Sequence, residues 1–277
     1  MTGTLKRIVK RTLPGLYRRL QQTRQHYALR RLGRRLRPVE EAVVGAQGLV
    51  VQSGPFRGMA YINRALGSMI LPKLVGSYES ELHGAIEMAI AKGFERVVNI
   101  GCGEGYYAVG LARRLPRARV WAFDTDGAAR SACRKLAEQN GVAERVQIQG
   151  ACGPEELRKL TVEPALVVCD CEGYELALLV PTNFSQPRAC EIIVELHDAM
   201  DAKISETILA RFAATHAAEA YEQTARDPRA YPGLHGLSAE HQLLAVDEFR
   251  SAGIRWAYLV PKQTGVAARP VKEPHDQ

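Results

Sequence analysis

Val97-Val98-Asn99-Ile100-Gly101-Cys102-Gly103-Glu104-Gly105-Tyr106 is the segment on which the reading of this chain turns. A short apolar run followed by three alternating glycines fits a strand that breaks into a tight turn and then a helix. Glycines there let the backbone turn sharply and approach a ligand without a Cβ in the way. The spacing is G-x-G-x-G. A dinucleotide fingerprint asks for its third glycine at the position of Tyr106. A phosphate-binding loop asks for Gly-Lys-Ser/Thr, which does not follow. A plain strand–helix turn would also use such glycines, so the loop needs support from its surroundings.

Outward from the loop, strand and helix patterns alternate. Residues 79–92 read as a helix with Leu82, Ile86, Ala89 and Ile90 on one face. Strands are expected at 96–100, 119–123, 146–149, 165–169 and 191–196. Helices fill 106–115, ending before Pro116, and 127–140, ending at Gly141. The strands are continuous apolar runs, such as Leu166-Val167-Val168 and Ile192-Ile193-Val194, as befits a sheet covered on both faces. The expected fold is α/β, a Rossmann-like, doubly wound, mostly parallel sheet. Trp256 to Val260 reads as a last strand, with His216 to Tyr221 as its antiparallel partner.

Asp124 closes the second strand, at the roughly 20-residue distance where a ribose-binding acid is expected. Its carboxylate can accept hydrogen bonds from both ribose hydroxyls. It could equally cap the helix that starts at Gly127, a role Asp126 fills as well. Glycine loop and acid together, in a βαβ setting, point to nucleoside binding.

The stretch from about Tyr78 to Asp198 resembles the FkbM-type, class I methyltransferases. The resemblance is carried by Gly105-Tyr106-Tyr107, Val120-Trp121-Ala122-Phe123-Asp124, Gln139-Asn140-Gly141-Val142, Asp170-Cys171-Glu172-Gly173-Tyr174-Glu175-Leu176 and Ile193-Val194-Glu195-Leu196-His197. It implies S-adenosylmethionine as cofactor and O-methylation of a small molecule or glycan. The cofactor set it implies is Asn99, Gly101, Gly103, Gly105, Tyr106, Asp124 and Asp170. Two features depart from the pattern. Asn99 stands where an acid usually helps hold the cofactor's ammonium group, and the glycine loop is closer to the general methyltransferase motif.

Ligands of doubly wound sheets sit beyond the carboxyl ends of the strands. Asp170 and Glu172 follow the fourth strand, and Glu195, His197 and Asp198 end or follow the fifth. A hydroxyl is a poor nucleophile when neutral, and a positioned base contributes roughly 10²–10⁴-fold. Glu172 and His197 are the expected bases, with Asp170 orienting the acceptor. The acids also resemble the divalent-ion site of metal-dependent sugar O-methyltransferases, which would make Asp170, Glu195, His197 and Asp198 ligands for Mg²⁺. Helix capping by Asp170 and a structural hydrogen bond from His197 are the plainer alternatives. The loop 227–236, with Tyr231 and His235, is either a substrate lid or a surface loop.

The chain has 277 residues and a net charge of +7, but the charge is local. Residues 1–40 hold 12 Lys and Arg against Glu40, or +11, and the remainder carries −4. The expected organisation is a basic arm at 1–40, an extension at 41–77, a methyltransferase domain at 78–265 and a polar tail at 266–277. Leu29, Leu32 and Leu36 sit at helical spacing among arginines. That pattern suits an anionic membrane surface, RNA, a homo-oligomer contact or a solvated tail. RNA is disfavoured, since no Asn/Asp-Pro-Pro-aromatic motif follows the fourth strand. A catalytically silent, cofactor-binding partner subunit is the third reading. No apolar run reaches the length of about 18 residues of a membrane span, and no signal peptide is expected. The six cysteines form no CxxC pair and read as core residues of a reduced, cytoplasmic protein, peripheral to a membrane if the arm binds one.

Overall fold

The computed structural model describes residues 32–250 and 253–262. Seven strands form one sheet: β1 (Arg96–Ile100), β2 (Arg119–Phe123), β3 (Val146–Gln149), β4 (Ala165–Cys169), β5 (Cys190–Leu196), β6 (His216–Glu222) and β7 (Arg255–Pro261). Their order is β3-β2-β1-β4-β5-β7-β6. The first five pair in parallel, and β7 runs antiparallel to both β5 and β6. The strand order therefore reverses between β1 and β4, and the crevice at that switch point is where such sheets bind ligands. The result is the expected Rossmann-like, doubly wound, mostly parallel sheet, with β7 reversed.

Period-two alternation sends successive strand residues to opposite faces. Val97, Val120, Ile193, Trp256 and Tyr258 join one core; Val98, Ile100, Val167, Val194 and Leu259 join the other. The first core is covered by residues 32–47, labelled α1, and by α2 (Ile70–Val75), α3 (His83–Ala91), α4 (Tyr106–Arg114), α5 (Gly127–Gln139) and α9 (Ala239–Val246). The second is covered by α6 (Pro154–Leu160), α7 (Glu175–Leu178) and α8 (Ile204–Phe212). Local chemistry sets the boundaries. Asp126 caps α5 by accepting from the Ala128 N–H at 2.8 Å, and Gly141 at φ 66° turns the chain away afterwards. Pro154 opens α6, and Glu156 reaches back to the Gly153 N–H at 3.1 Å.

The expected boundary at residue 40 falls inside α1. Leu36, Val39 and Val43 are buried in the first core, and Leu32 packs against it. The leucine stripe expected to face lipid thus faces the sheet layer at Leu32 and Leu36, because apolar burial against the body outweighs leaving it in water. The rest of the basic arm, with Leu29, and the polar tail lie outside the described residues. No described helix is long and apolar enough to cross a membrane. Leu36→Ala should destabilise the protein by about 2–3 kcal/mol in chemical denaturation, within the usual range for a buried leucine. An unchanged midpoint would show that α1 is not part of the folded body.

Candidate active site

A cavity of about 830 Å³ opens at the carboxyl ends of the parallel strands. That volume lies in the ~300–1,000 Å³ range of small-molecule sites. Its floor is the glycine loop. Gly101, at φ 74°, donates to the Phe123 carbonyl at 2.8 Å, while the Asp170 N–H donates to Ile100 at 2.9 Å. A Cβ on Gly101 would overlap the Asp170 carbonyl oxygen. Gly103 donates its N–H to Asp124 Oδ2 at 2.8 Å, and Asp124 Oδ1 accepts from the Asp126 N–H at 2.8 Å. The helix cap is therefore Asp126, and Asp124 closes the glycine loop while facing the cavity. Gly105, at φ 100°, begins α4, where a Cβ would press on Cys133.

Tyr106 lines the same cavity with its ring buried among Phe56, Tyr61, Tyr78 and Tyr107, and its hydroxyl has no partner among the described residues. Asn99 does not line it. The strand alternation that puts Ile100 at the cavity turns Asn99 into the sheet, where Nδ2 donates weakly to Val168 at 3.4 Å and Oδ1 is unpartnered. Glu104 was absent from the sequence expectations. It is buried, accepts from Tyr61 at 2.6 Å and from the Leu66 N–H at 3.1 Å, and pairs with buried Lys73. This ties residues 61–73 over the glycine loop, so Leu66, Gly67 and Ser68 form a wall. Burial opposes ionisation of Glu104, but Lys73 and the Tyr61 hydrogen bond hold its carboxyl below the usual range. A glutamate between two loop glycines was the only hint in the sequence.

On the far side, four carboxylates surround one imidazole. His197 Nε2 lies 3.4 Å from Asp170, 3.5 Å from Glu195 and 3.7 Å from Glu172. Nδ1 lies 2.9 Å from fully buried Glu175, a close ionic contact poorly aligned for a hydrogen bond. Burial pushes the His197 pKa down, but Glu175, Glu195 and Asp170 outweigh it and raise it to about 9. His197 is an imidazolium at neutral pH and has no lone pair with which to act as the expected base. Asp170 faces the cavity, and its pKa is raised by burial and by the charges of Glu195 and Glu79. With 37% of its side chain exposed, water tempers that rise. Glu172 stands at the rim, 72% exposed, at φ 53°.

Three other expectations change. Glu195 meets Arg250 Nη1 through both oxygens, at 2.9 and 2.8 Å, so its carboxylate is engaged. Asp198 points away from the cavity: it accepts from the Ser205 N–H at 2.9 Å and pairs with Arg255. Of the expected metal set, only Asp170 and His197 remain together, joined by Glu172 within 4.8 Å. The loop 227–236 is not a lid. Neither Tyr231 nor His235 lines the cavity, Leu234 is buried, and Gly233 lies against Gln52. The segment Glu248-Phe249-Arg250, unremarked in the sequence, forms that wall instead. Arg250 pairs with Glu79, Glu195 and Glu248 and donates to the Tyr78 hydroxyl at 2.8 Å. Glu79 and Glu195 come from distant parts of the chain, which is why no local pattern announced them.

Comparison with known proteins agrees with this geometry. Residues 97–174 match a family model described as a methyltransferase domain. A stretch of 74 residues is 36% identical to the release factor glutamine methyltransferase of Chlorobaculum tepidum, covering 25% of each chain, so the match spans a quarter of that relative's length. Among solved structures, cofactor-bound Rv0187 from MTB overlaps at TM-score 0.49 and 16% identity, over 81% of this chain and 88% of that one. The O-methyltransferase from Bacillus cereus in complex with SAH overlaps at TM-score 0.43 and 16% identity, over 62% and 77%. TomG from Streptomyces achromogenes, an O-methyltransferase solved with SAM, overlaps at TM-score 0.45 and 15% identity, over 63% and 76%. The segment matched by the methyltransferase-domain model runs from β1 to the turn before α7.

Two outcomes follow from the site's geometry. Gly101→Ala should cost about 3 kcal/mol or more of stability, since the new methyl meets backbone and the residue sits at positive φ. A Gly101→Ala protein with wild-type stability would show that the two loops are not held together. The second outcome concerns pH. The folded pKa of His197, about 9, lies above the ordinary 6.5. Its stabilisation is therefore complete below pH 6.5 and lost as pH rises through 9. Thermal melts of wild type and His197→Gln should converge across that window; parallel curves would mean that His197 is neutral.

Proposed function

We propose that this protein transfers a methyl group from S-adenosylmethionine to a hydroxyl of a small molecule or glycan, in the manner of the FkbM-type enzymes it resembles. The observation that carries this reading is the single cavity joining the Gly101–Asp124 cradle to Asp170. The residues present fit the cofactor. The glycine loop leaves space that a Cβ would fill, Asp124 offers a carboxylate for ribose hydroxyls, and the Tyr106 hydroxyl is a buried donor awaiting a partner. Asn99, turned into the sheet, takes no part.

S-adenosylmethionine supplies a methyl group on a sulfonium, which is a good leaving group. The chain's own contribution is to hold the acceptor in line and to manage its proton. Asp170 is placed to accept the acceptor's hydroxyl proton, and S-adenosylmethionine held in the glycine cradle would supply the methyl group and the leaving sulfur. Burial and the charges of Glu195 and Glu79 raise the pKa of Asp170, which strengthens it as a base. The His197 imidazolium, 3.4 Å away, keeps Asp170 in place and balances the surrounding acids.

Titration calorimetry should show binding of S-adenosylmethionine with no preference for NAD. Asp124→Ala should weaken it by about 1.5–3 kcal/mol, the scale of hydrogen bonds to a charged group. Methyl-labelled donor offered to a panel of glycosides, polyols, phenols, RNA and peptides should label a hydroxyl. Asp170→Asn should slow that transfer at least about 100-fold with donor affinity kept, and excess chelator should leave the wild-type rate unchanged. Labelling of RNA or of a peptide nitrogen would overturn the acceptor class.

A further inference from the structure

Six large apolar side chains are strongly exposed among the described residues: Met88, Val162, Tyr174, Met200, Leu243 and Phe249. Single exposed apolar residues need no explanation. Their placement here does, because Tyr174, Met200 and Phe249 line the one cavity described above, and they are 47%, 56% and 37% exposed. Clustered apolar surface beside a site marks binding.

The backbone holds these side chains outward. Phe249 stands between Glu248 and Arg250, both fixed in the buried ion-pair network, and it adopts φ 51°. Its N–H is held by Asp247 at 2.7 Å. A left-handed phenylalanine is costly, and such a conformation persists only where the surroundings enforce it. Tyr174 is placed in the same way. It follows Glu172 and Gly173, at φ 53° and 98°, and precedes Glu175, which is locked beside His197. Met200 lies over Gly173, with its sulfur 3.2 Å from where a Cβ would sit. Strained turns on two separate loops therefore present apolar groups at the mouth, while the same loops turn acids inward.

We infer that the methyl acceptor is an uncharged amphiphile, with its reacting hydroxyl at Asp170 and an adjoining apolar chain or ring on Tyr174, Met200 and Phe249. The inference rests on the methyltransferase reading and adds the chemical class of its acceptor. An anionic head group would meet the inward-facing carboxylates. A wholly polar acceptor would leave the apolar mouth in water.

Methyl, hexyl and octyl β-glucoside, each below its micelle concentration, and hexyl phosphate serve as probes. Binding to the full chain is measured by calorimetry and ligand-observed NMR, with and without S-adenosylhomocysteine. Affinity should rise about two- to fourfold per added methylene, as burial of each CH₂ would give, and hexyl phosphate should bind at least tenfold more weakly than hexyl glucoside. Met200→Ser with Phe249→Ser should flatten the chain-length dependence while melting temperature and S-adenosylhomocysteine affinity stay unchanged. Chain-length dependence that is absent, or that survives both substitutions, overturns the inference; equal binding of hexyl phosphate overturns its charge preference. Failure of S-adenosylhomocysteine to bind at all would remove the methyltransferase reading, whereas the alkyl series would still test the apolar mouth.

Discussion

The site depends on one close backbone approach. The loop after β1 and the loop after β4 touch at Gly101 and the Asp170 carbonyl, at a distance no side chain permits. Hydrogen bonds on either side, from Asp170 to Ile100 and from Gly101 to Phe123, hold three strand ends in register. That contact puts the glycine cradle beside an acid, in one cavity. Methyl transfer is a positional reaction, and a shift of an ångström in the acceptor's alignment lowers the rate steeply.

Around this contact the protein accumulates buried charge. Arg226, Arg250 and His197 hold Glu79, Glu81, Glu175, Glu195 and Glu248 in one continuous network. Buried ion pairs add little net stability, because desolvation offsets their attraction, but removal of one partner strands a charge. The consequence here is geometric. Arg250 joins Glu79, which follows α2, to Glu195 in β5 and to Glu248 beyond α9. Elements far apart in sequence are thereby locked around the cavity, and the loops between them can carry strained, outward-facing side chains.

Much of this was legible in the chain. All five parallel strands were readable within a residue of their observed ends, because a sheet covered on both faces needs uninterrupted apolar runs. The β6–β7 pairing was readable too, although Ala217, Ala218 and Ala220 give an edge strand little β character. The position of Asp124 beside the glycine loop could be read from its spacing. Asn99 could not be placed, since a shift of one residue along a strand exchanges the two faces of the sheet. The position of α1 was hidden by its arginines: its exposed face is basic, while Leu36, Val39 and Val43 make the buried one.

Local sequence determined the βαβ order, the glycine turn and the acids at the strand ends, since these follow from periodicity, backbone freedom and spacing within about thirty residues. Only the tertiary structure decided what those acids do. Four acids packed around His197 raise its pKa, Arg250 withdraws Glu195, and Arg255 turns Asp198 away. The protonation state of a side chain depends on burial and on the charges that folding brings near it, and those neighbours lie up to 171 residues away along the chain, as Glu79 and Arg250 do.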